Sequence, residues 1–388
     1  MATQLSILND ISAEQFLAEY WQKKPLLIRN AIPEIVGMFE PDDILELALD
    51  EYITARLLTQ HGDTQQQWQV KNSPLQSEDF AALPPLWTLL VQAVDHYSIE
   101  LAALWDKFSF IPKWRRDDIM VSYAPKGGSV GQHFDFYDVF LLQGHGHRRW
   151  QLGQWCDENT AFVPDQPLRL LEAMQVTFDE VLAPGDLLYV PPKLAHYGVA
   201  EDDCLTFSFG FRMPNQTDLI DQLSDKFAEQ EHAQTPLPDA QRLLSSAAGE
   251  VTTIELKQLK ETILTAIQDS AYFEQAVMAL VSEAKYPNNI PELEPMSLSE
   301  LQDMAQESTL IGLEPASRLL YRQVNTELEF WANGEVLCIH PDTQPILKQL
   351  ADGVTLDLGT VLQQHVLEDL LMAINHAVLI LIDHDDMN

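Results

Sequence analysis

The apolar positions of this chain change period along its length. Near the start, Ser12 and Gln15 have the spacing of a capping box, and Phe16, Tyr20 and Trp21 then recur at helical intervals. KKPLLIRN, ending at residue 30, is a short apolar run between polar residues and predicts a buried strand. Apolar residues three and four apart predict helices over 43–60 and 86–105. From about 118 to 212 the texture shifts to short β-rich runs, DIMVSYA, HFDFYDVFLLQ, HRRWQLG, LLYVPP and LTFSFGFRMP, separated by turn segments such as PKGGSVG, GHG and APGD. Strands this short and this evenly spaced predict an antiparallel barrel or double-sheet jelly roll, whose mouth gives inward side chains a common pocket.

Past Pro214 the helical period returns in TDLIDQLSDKFAEQ, ELKQLKETILTAIQDS and AYFEQAVMALVSEAK. Their apolar stripes exceed what a closed barrel covers, which predicts burial against a second copy of the chain. The Pro-rich stretch YPNNIPELEP reads as a linker. Beyond it come a helix near 297–307, a hairpin turning at Asn333-Gly334, and apolar helix-like runs to the end, an order that resembles a winged helix. The expected regions are 1–212, 213–285 and 286–388.

With 46% hydrophobic and 21% charged residues, the 388-residue chain has the make-up of a folded protein of two or three domains. Charge changes the picture more, because 23 Lys+Arg against 59 Asp+Glu leave a formal net charge of −36. Such a surface repels nucleic acid and anionic membranes and attracts basic partners, although solubility is the plainer account of it. Acidic residues also far outnumber basic ones over 286–388, so direct DNA binding by that region is not expected. Cys156, Cys204 and Cys338 form no CxxC and fit a reducing compartment. The first dozen residues lack the basic and apolar blocks of a signal peptide, and AVLILI at 377–382 is too short to span a bilayer. The expected location is the cytoplasm, away from any membrane.

Candidate chemistry centres on GQHFDFYDVF, which sets His133 and Asp135 two apart among large apolar side chains. In an extended strand both would point to one face. Alone, an H-x-D pair also describes a satisfied core histidine. A third group of ligand type, His196, follows the strand LLYV and two prolines that stiffen its approach. Two histidines and one carboxylate make the facial triad of non-haem Fe(II) oxygenases, whereas zinc favours more closed four-coordinate sites. His145 and His147 alternate too, but within the GHG turn they are expected to face solvent. No flavin or dinucleotide fingerprint occurs in the chain, which makes 2-oxoglutarate the expected electron source for O2 chemistry. Its distal carboxylate needs a cation. Arg148, on the strand after the H-x-D segment, is placed for a two-bond grip, and Arg149 points to the opposite face. A surface ion pair is the alternative for either arginine.

Together, FLAEYWQKKPLLIRN, DDIMVSYAPKGGSVGQHFDFYDVFLLQGHGHRRWQLG, PGDLLYVPPKLAHYG and SFGFRMPN resemble the bacterial JmjC-type ribosomal oxygenases, and among them the arginine hydroxylases of large-subunit ribosomal protein sixteen. The resemblance spans the chain, with its diagnostic motifs before residue 215. It implies an α+β fold: a JmjC double-stranded β-helix of the jelly-roll or cupin type over 1–212, a helical dimerisation segment over 213–285 and a winged-helix-like domain over 286–388, paired as a homodimer. It implies Fe(II) held by His133, Asp135 and His196, 2-oxoglutarate held by Arg148 with Ser122 and Thr206 beside it, and O2 as co-reactant. Thr206 stands where the family pattern carries asparagine. Asp118, Met120, Tyr137 and Ser208 match positions that enclose the target side chain, Met120 and Tyr137 as walls for an arginine stem and Asp118 for its guanidinium. As plain structure, Met120 and Tyr137 fit a core, Asp118 a pair with Arg115 or Arg116, and Ser208 a backbone partner.

The implied reaction hydroxylates C3 of an arginine in a basic large-subunit ribosomal protein, while 2-oxoglutarate becomes succinate and carbon dioxide. The residues leave open a histidine-directed hydroxylase of the same fold, a non-oxidative metal-binding cupin and a non-enzymatic scaffold.

Overall fold

A computed structural model describes residues 7–61, 67–229, 235–237, 247–268, 271–306, 309–361 and 363–382. Parts of the helical segment expected over 213–285, and the first six residues of the start that lacks signal-peptide blocks, therefore lie outside the described residues. The chain divides into two compact units, Met1–Met213 with Lys285–Pro291, and Pro214–Ala284 with Glu292–Asn388.

The first unit opens with α1 (Ala13–Glu19), where Ser12 Oγ accepts the Gln15 N–H at 3.1 Å. The Gln15 side chain donates to Glu19 and leaves the box half closed. β1 (Leu26–Ile28) forms where KKPLLIRN predicts a strand. Downstream, the helical expectation holds only in part, at α2 (Pro41–Ala48) and at a short helix within 86–105. β2 (Ala55–Gln60), β3 (Trp68–Asn72) and β4 (Leu86–Val91) are strands, accompanied by the short helices α3 (Ser77–Phe80) and α4 (Ile99–Ala103). The helices predicted over 43–60 and 86–105 are thus each corrected to a helix and a strand. β2 and β4 pair with each other, Leu57 opposite Leu89. Apolar runs this short satisfy either period, and the sheet partner decides between them.

The remaining strands are β5 (Arg116–Ala124), β6 (Asp138–His145), β7 (Arg148–Trp155), β8 (Phe178–Leu182), β9 (Leu187–Val190), β10 (Leu194–Ala200) and β11 (Cys204–Phe211). They form the antiparallel two-sheet barrel that the strand spacing predicts. The larger sheet runs β1-β9-β6-β11-β5-β4-β2-β3 and the smaller β10-β7-β8. Alternation sorts the larger sheet's side chains. Val121, Phe140, Tyr189, Phe207 and Phe209 enter an outer core with Phe16, Trp105 and Phe108. Val139, Leu141, Leu188 and Val190 point the other way, onto Trp150, Leu152 and Leu182 of the smaller sheet. Each large apolar side chain in the outer core contributes on the order of 2–3 kcal/mol. That core supports the sheet from outside, so the interior between the sheets can carry polar groups.

Two buried carboxylates fix the N-terminal segment to the barrel. Asp186, in the APGD turn where Gly185 has φ +91°, accepts the Ala183 N–H at 3.0 Å, the Asn30 N–H at 2.9 Å and Arg29 Nη1 at 2.7 Å. Asp138 accepts the Tyr189 hydroxyl at 2.6 Å, Gln22 Nε2 at 2.8 Å and Arg115 Nη2 at 3.2 Å.

The second unit contains α5 (Gln216–Ala228), α6 (Thr253–Gln268) and α7 (Tyr272–Ser282), at the three helical repeats read from the sequence. After them come α8 (Leu298–Gln306), β12 (Leu310–Leu313), β13 (Leu319–Val324), β14 (Glu327–Ala332), β15 (Glu335–Leu337), α9 (Gln344–Ala351), β16 (Leu356–Asp357), α10 (Gln364–Asn375) and β17 (Leu379–Ile382). Asn333 and Gly334, at φ +50° and +90°, turn β14 into β15 as their pairing predicts. The last apolar run is a strand where a helix was expected, because β17 pairs with β12 along its whole length. Cys156 and Cys204 are buried, Cys338 is exposed, and all three are free thiols. Among the described residues no helix is long and apolar enough to cross a membrane.

Candidate active site

Residues 131–137 do not form the regular strand that the HFDF pattern suggests. His133 instead makes an isolated antiparallel bridge with His196 of β10, their N–H groups and carbonyls exchanging bonds of 3.1 and 2.8 Å. Residues opposed in such a pair present their side chains on one face, and the two imidazole centroids lie 4.2 Å apart. Asp135 is held through its carbonyl, which accepts the Lys193 N–H at 2.7 Å. Lys193, at φ +64°, turns the chain from the two prolines into β10.

The three functional atoms converge. Asp135 Oδ2 lies 3.5 Å from His196 Nε2 and 3.9 Å from His133 Nε2. Ligand atoms of all three side chains lie within 4.8 Å of one another. His133 Nδ1 is 3.0 Å from the Gly131 carbonyl, and His196 Nδ1 is 3.0 Å from the Leu194 carbonyl. A carbonyl only accepts, so each Nδ1–H donates and each Nε2 lone pair is left facing Asp135. Burial, and then the neighbouring His133, pushes the His196 pKa down to about 4, which keeps that imidazole neutral and able to ligate near pH 7. Two neutral imidazoles and one carboxylate fit Fe(II) with coordination positions to spare.

Along β7, Arg148, Trp150 and Leu152 point inward, while Arg149 points out and pairs with Glu201 at 2.7 Å and Asp179 at 2.9 Å. Arg148 is only 2% exposed. Its Nη1 lies 3.5 Å from Ser122 Oγ and its guanidinium carbon 5.8 Å from the Trp150 ring. Among the described residues its Nε and Nη2 meet no hydrogen-bond partner. Leaving such donors unsatisfied in a buried site costs roughly 1–3 kcal/mol per group, and a two-oxygen carboxylate would satisfy both at once. The residues therefore fit the distal end of 2-oxoglutarate. Gly198, paired across the sheet with Trp150, makes room for the indole, since a Cβ there would lie 2.8 Å from the ring. The same indole reaches the His196 ring at 6.0 Å.

Ser122 and Thr206 face each other across β5 and β11. Ser122 Oγ stands beside Arg148. The Thr206 hydroxyl donates at 3.0 Å to Gln143 Oε1, so the group standing in for asparagine is already committed. Met120 and Ser208 are the next pair along the same strands, with Met120 packed onto Leu58, Trp68 and Leu90. Tyr137 packs against the barrel interior with Arg212 over its ring at 5.1 Å, and burial pushes its hydroxyl pKa up.

Asp118 does not make the pair with Arg115 that the plain reading allowed, and it already has partners. It is buried and takes Lys285 Nζ at 3.1 Å on Oδ1, and the Tyr286 hydroxyl and Ala93 N–H, each at 3.1 Å, on Oδ2. Arg115 pairs with Asp138 instead. Asp117 beside it pairs with Lys285 at 2.7 Å and with Arg212, and burial together with Asp118 holds its pKa above the usual carboxylate range. His145 and His147 are partly exposed and sit beside Glu40 and Asp202.

Four residues of the site escaped the sequence reading. Trp150 shares a strand face with Arg148 and was accessible from period two alone. Gln143, Lys285 and Tyr286 reach it through tertiary contacts that no local pattern announces.

Comparison with known proteins follows the same outline. Residues 103–219 match the JmjC domain family, and residues 265–379 match a ROXA-like winged helix. The chain is 46% identical over 358 residues to a probable ribosomal oxygenase of Haemophilus influenzae, covering 89% of this chain and 87% of that protein. It is 32% identical over 342 residues to the ribosomal protein uL16 3-hydroxylase of Escherichia coli, covering 88% and 89%. The structure of the E. coli ribosomal oxygenase YcfD with cobalt and 2-oxoglutarate superposes with a TM-score of 0.83 at 29% identity, covering 96% of this chain and 99% of that one.

Proposed function

Because this chain belongs to the JmjC-domain ribosomal oxygenases, we propose that it is a cytoplasmic Fe(II)- and 2-oxoglutarate-dependent oxygenase that hydroxylates C3 of an arginine in ribosomal protein uL16. One observation carries the chemistry: His133, Asp135 and His196 converge on the inner side of the barrel that also buries the unsatisfied fork of Arg148. Iron, when bound, supplies O2 activation, with 2-oxoglutarate consumed to succinate and carbon dioxide.

The chain's own residues do the rest. The Gly131 and Leu194 carbonyls hold both imidazoles in the ligating tautomer. Arg148 orients the cosubstrate by its distal carboxylate, with Ser122 and Thr206 alongside. Trp150, Leu152, Val139 and Leu141 make the surroundings apolar, which keeps water from competing. Met120 and Tyr137 wall the stem of the target side chain, with Ser208 beside them. Asp118 receives the target guanidinium by exchanging Lys285 for it, and Asp117 keeps the lysine.

The test is to incubate the chain with Fe(II), 2-oxoglutarate and ribosomes and to map products by tandem mass spectrometry. One added oxygen on a single uL16 arginine is the expected result. Oxygen on a histidine would support the histidine-directed alternative, and absence of succinate formation would support the non-oxidative cupin.

The net charge of −36 favours encounter with a basic substrate. The second-order rate is expected to fall as ionic strength rises from about 0.01 to 0.15 M, where the screening length shrinks from about 30 to about 8 Å. A flat profile would remove steering and leave the chemistry intact.

Homodimerisation through the helical segment completes the proposal. Along α6, Leu256, Leu259 and Ile263 are exposed at helical spacing, and α6 has no buried residue of its own. A second copy covering this stripe accounts for it. Leu259→Glu with Ile263→Glu is expected to convert a dimer mass in sedimentation to a monomer mass. A wild-type monomer at micromolar concentration would rule the stable dimer out. Direct contact with DNA is not part of the proposal, given the acidic winged-helix region.

A further inference from the structure

A second convergence of two imidazoles and a carboxylate lies within the winged-helix unit. His340 caps the short turn Pro341–Thr343, and His365 is the second residue of α10. Asp342 Oδ2 is 3.0 Å from His365 Nε2 and 3.6 Å from His340 Nδ1, and the two rings lie 4.3 Å apart between centroids. Ligand atoms of all three lie within 4.8 Å of one another.

We propose that His340, Asp342 and His365 form a surface site for a divalent transition cation of zinc type, distinct from the centre in the barrel. A tetrahedral ion with bonds of about 2.0–2.1 Å sets its ligand atoms about 3.3 Å apart, between the two spacings seen here. Two imidazoles with one carboxylate select zinc, nickel or copper over magnesium or calcium, which take all-oxygen shells.

The ligands are held in place by their own surroundings. Asp369, one turn after His365 on α10, accepts the His340 N–H at 2.7 Å and the Thr343 hydroxyl at 2.5 Å through one oxygen. That clamp fixes the 340–343 turn over the face of α10 that carries His365. Binding at His340 Nδ1 exchanges the long 3.2 Å hydrogen bond that this atom accepts from the Asp342 N–H. All three side chains are about half exposed, so a cation can enter and retain water in its remaining position. The site would tie α10 to the turn before α9, segments that are distant in the chain, and so stabilise the unit by linkage.

The test uses the full-length chain, stripped with chelator and titrated with zinc by calorimetry, with Co(II) absorption as a geometry readout. Wild type is expected to take two equivalents. His365→Ala and His340→Ala, both surface changes, are each expected to take one equivalent, with the second weakened by about tenfold or more. They are also expected to lose the part of the zinc-dependent rise in melting temperature that the second equivalent contributes, while keeping hydroxylation. His133→Ala/His196→Ala is expected to retain the second equivalent; should that variant fail to fold, wild type against His365→Ala decides. A single equivalent in wild type, or a second one that survives both surface substitutions, overturns the proposal and leaves His365 as an ordinary hydrogen-bonded partner of Asp342.

Discussion

Asp135→Ala is expected to lower hydroxylation by about a thousandfold or more while leaving the fold intact. Asp135 is partly exposed, and the contact that places its backbone is its own carbonyl on the Lys193 N–H, which alanine preserves. What disappears is the negative donor that faces both Nε2 atoms. Two neutral imidazoles alone bind a divalent ion weakly and do not fix its orientation. Losing several kcal/mol of metal-based stabilisation corresponds to about three powers of ten in rate. Asp135→Asn separates charge from shape, since it keeps an oxygen donor and removes the charge, and its activity should lie between the two. Succinate release and oxygen incorporation, measured with iron in excess, give the answer. Activity of Asp135→Ala within tenfold of wild type would remove the barrel triad as the reaction centre.

Arg148→Met should separate stability from function in opposite directions. The guanidinium is buried with Nε and Nη2 unsatisfied, against one long bond to Ser122 and a stacking contact with Trp150. A methionine of similar length removes the donors and keeps packing against the indole. The cosubstrate-free protein is then expected to be more stable by about 1 kcal/mol, a rise in urea midpoint at unchanged slope. 2-Oxoglutarate binding should weaken by a few hundred to a few thousandfold, because stripping one partner from a buried ion pair costs roughly 3–5 kcal/mol. Arg148→Lys should recover little of that affinity, since an ammonium cannot reproduce a planar two-bond fork. If Arg148→Met lost stability and kept its affinity for 2-oxoglutarate, the residue would be structural and the cosubstrate would be held elsewhere.

The same opposition explains why some of the site was legible in the sequence. Strand alternation put Arg148 inside and Arg149 outside, and both are found there. That Ser122 and Met120 on β5 lie opposite Thr206 and Ser208 on β11 was decided by the pairing of distant strands. The residue types of His133, Asp135 and His196 pointed to metal chemistry, although the strand assumed for the first two is an isolated bridge. Asp118 was legible as an acidic group on the site strand, but its partner was not, because Lys285 and Tyr286 reach it from far along the chain.

Sequence by itself determined the alternation of β5, β6, β7, β9 and β11, the turn at Asn333-Gly334, the helices after Pro214 and the donor types, since each depends on near neighbours and side-chain chemistry. Tertiary structure alone decided that β2, β4 and β17 are strands, that His133 opposes His196, and that Lys285 meets Asp118. Apolar runs of four to six residues suit helix and sheet alike, and only a distant segment offering or withholding backbone partners settles the choice.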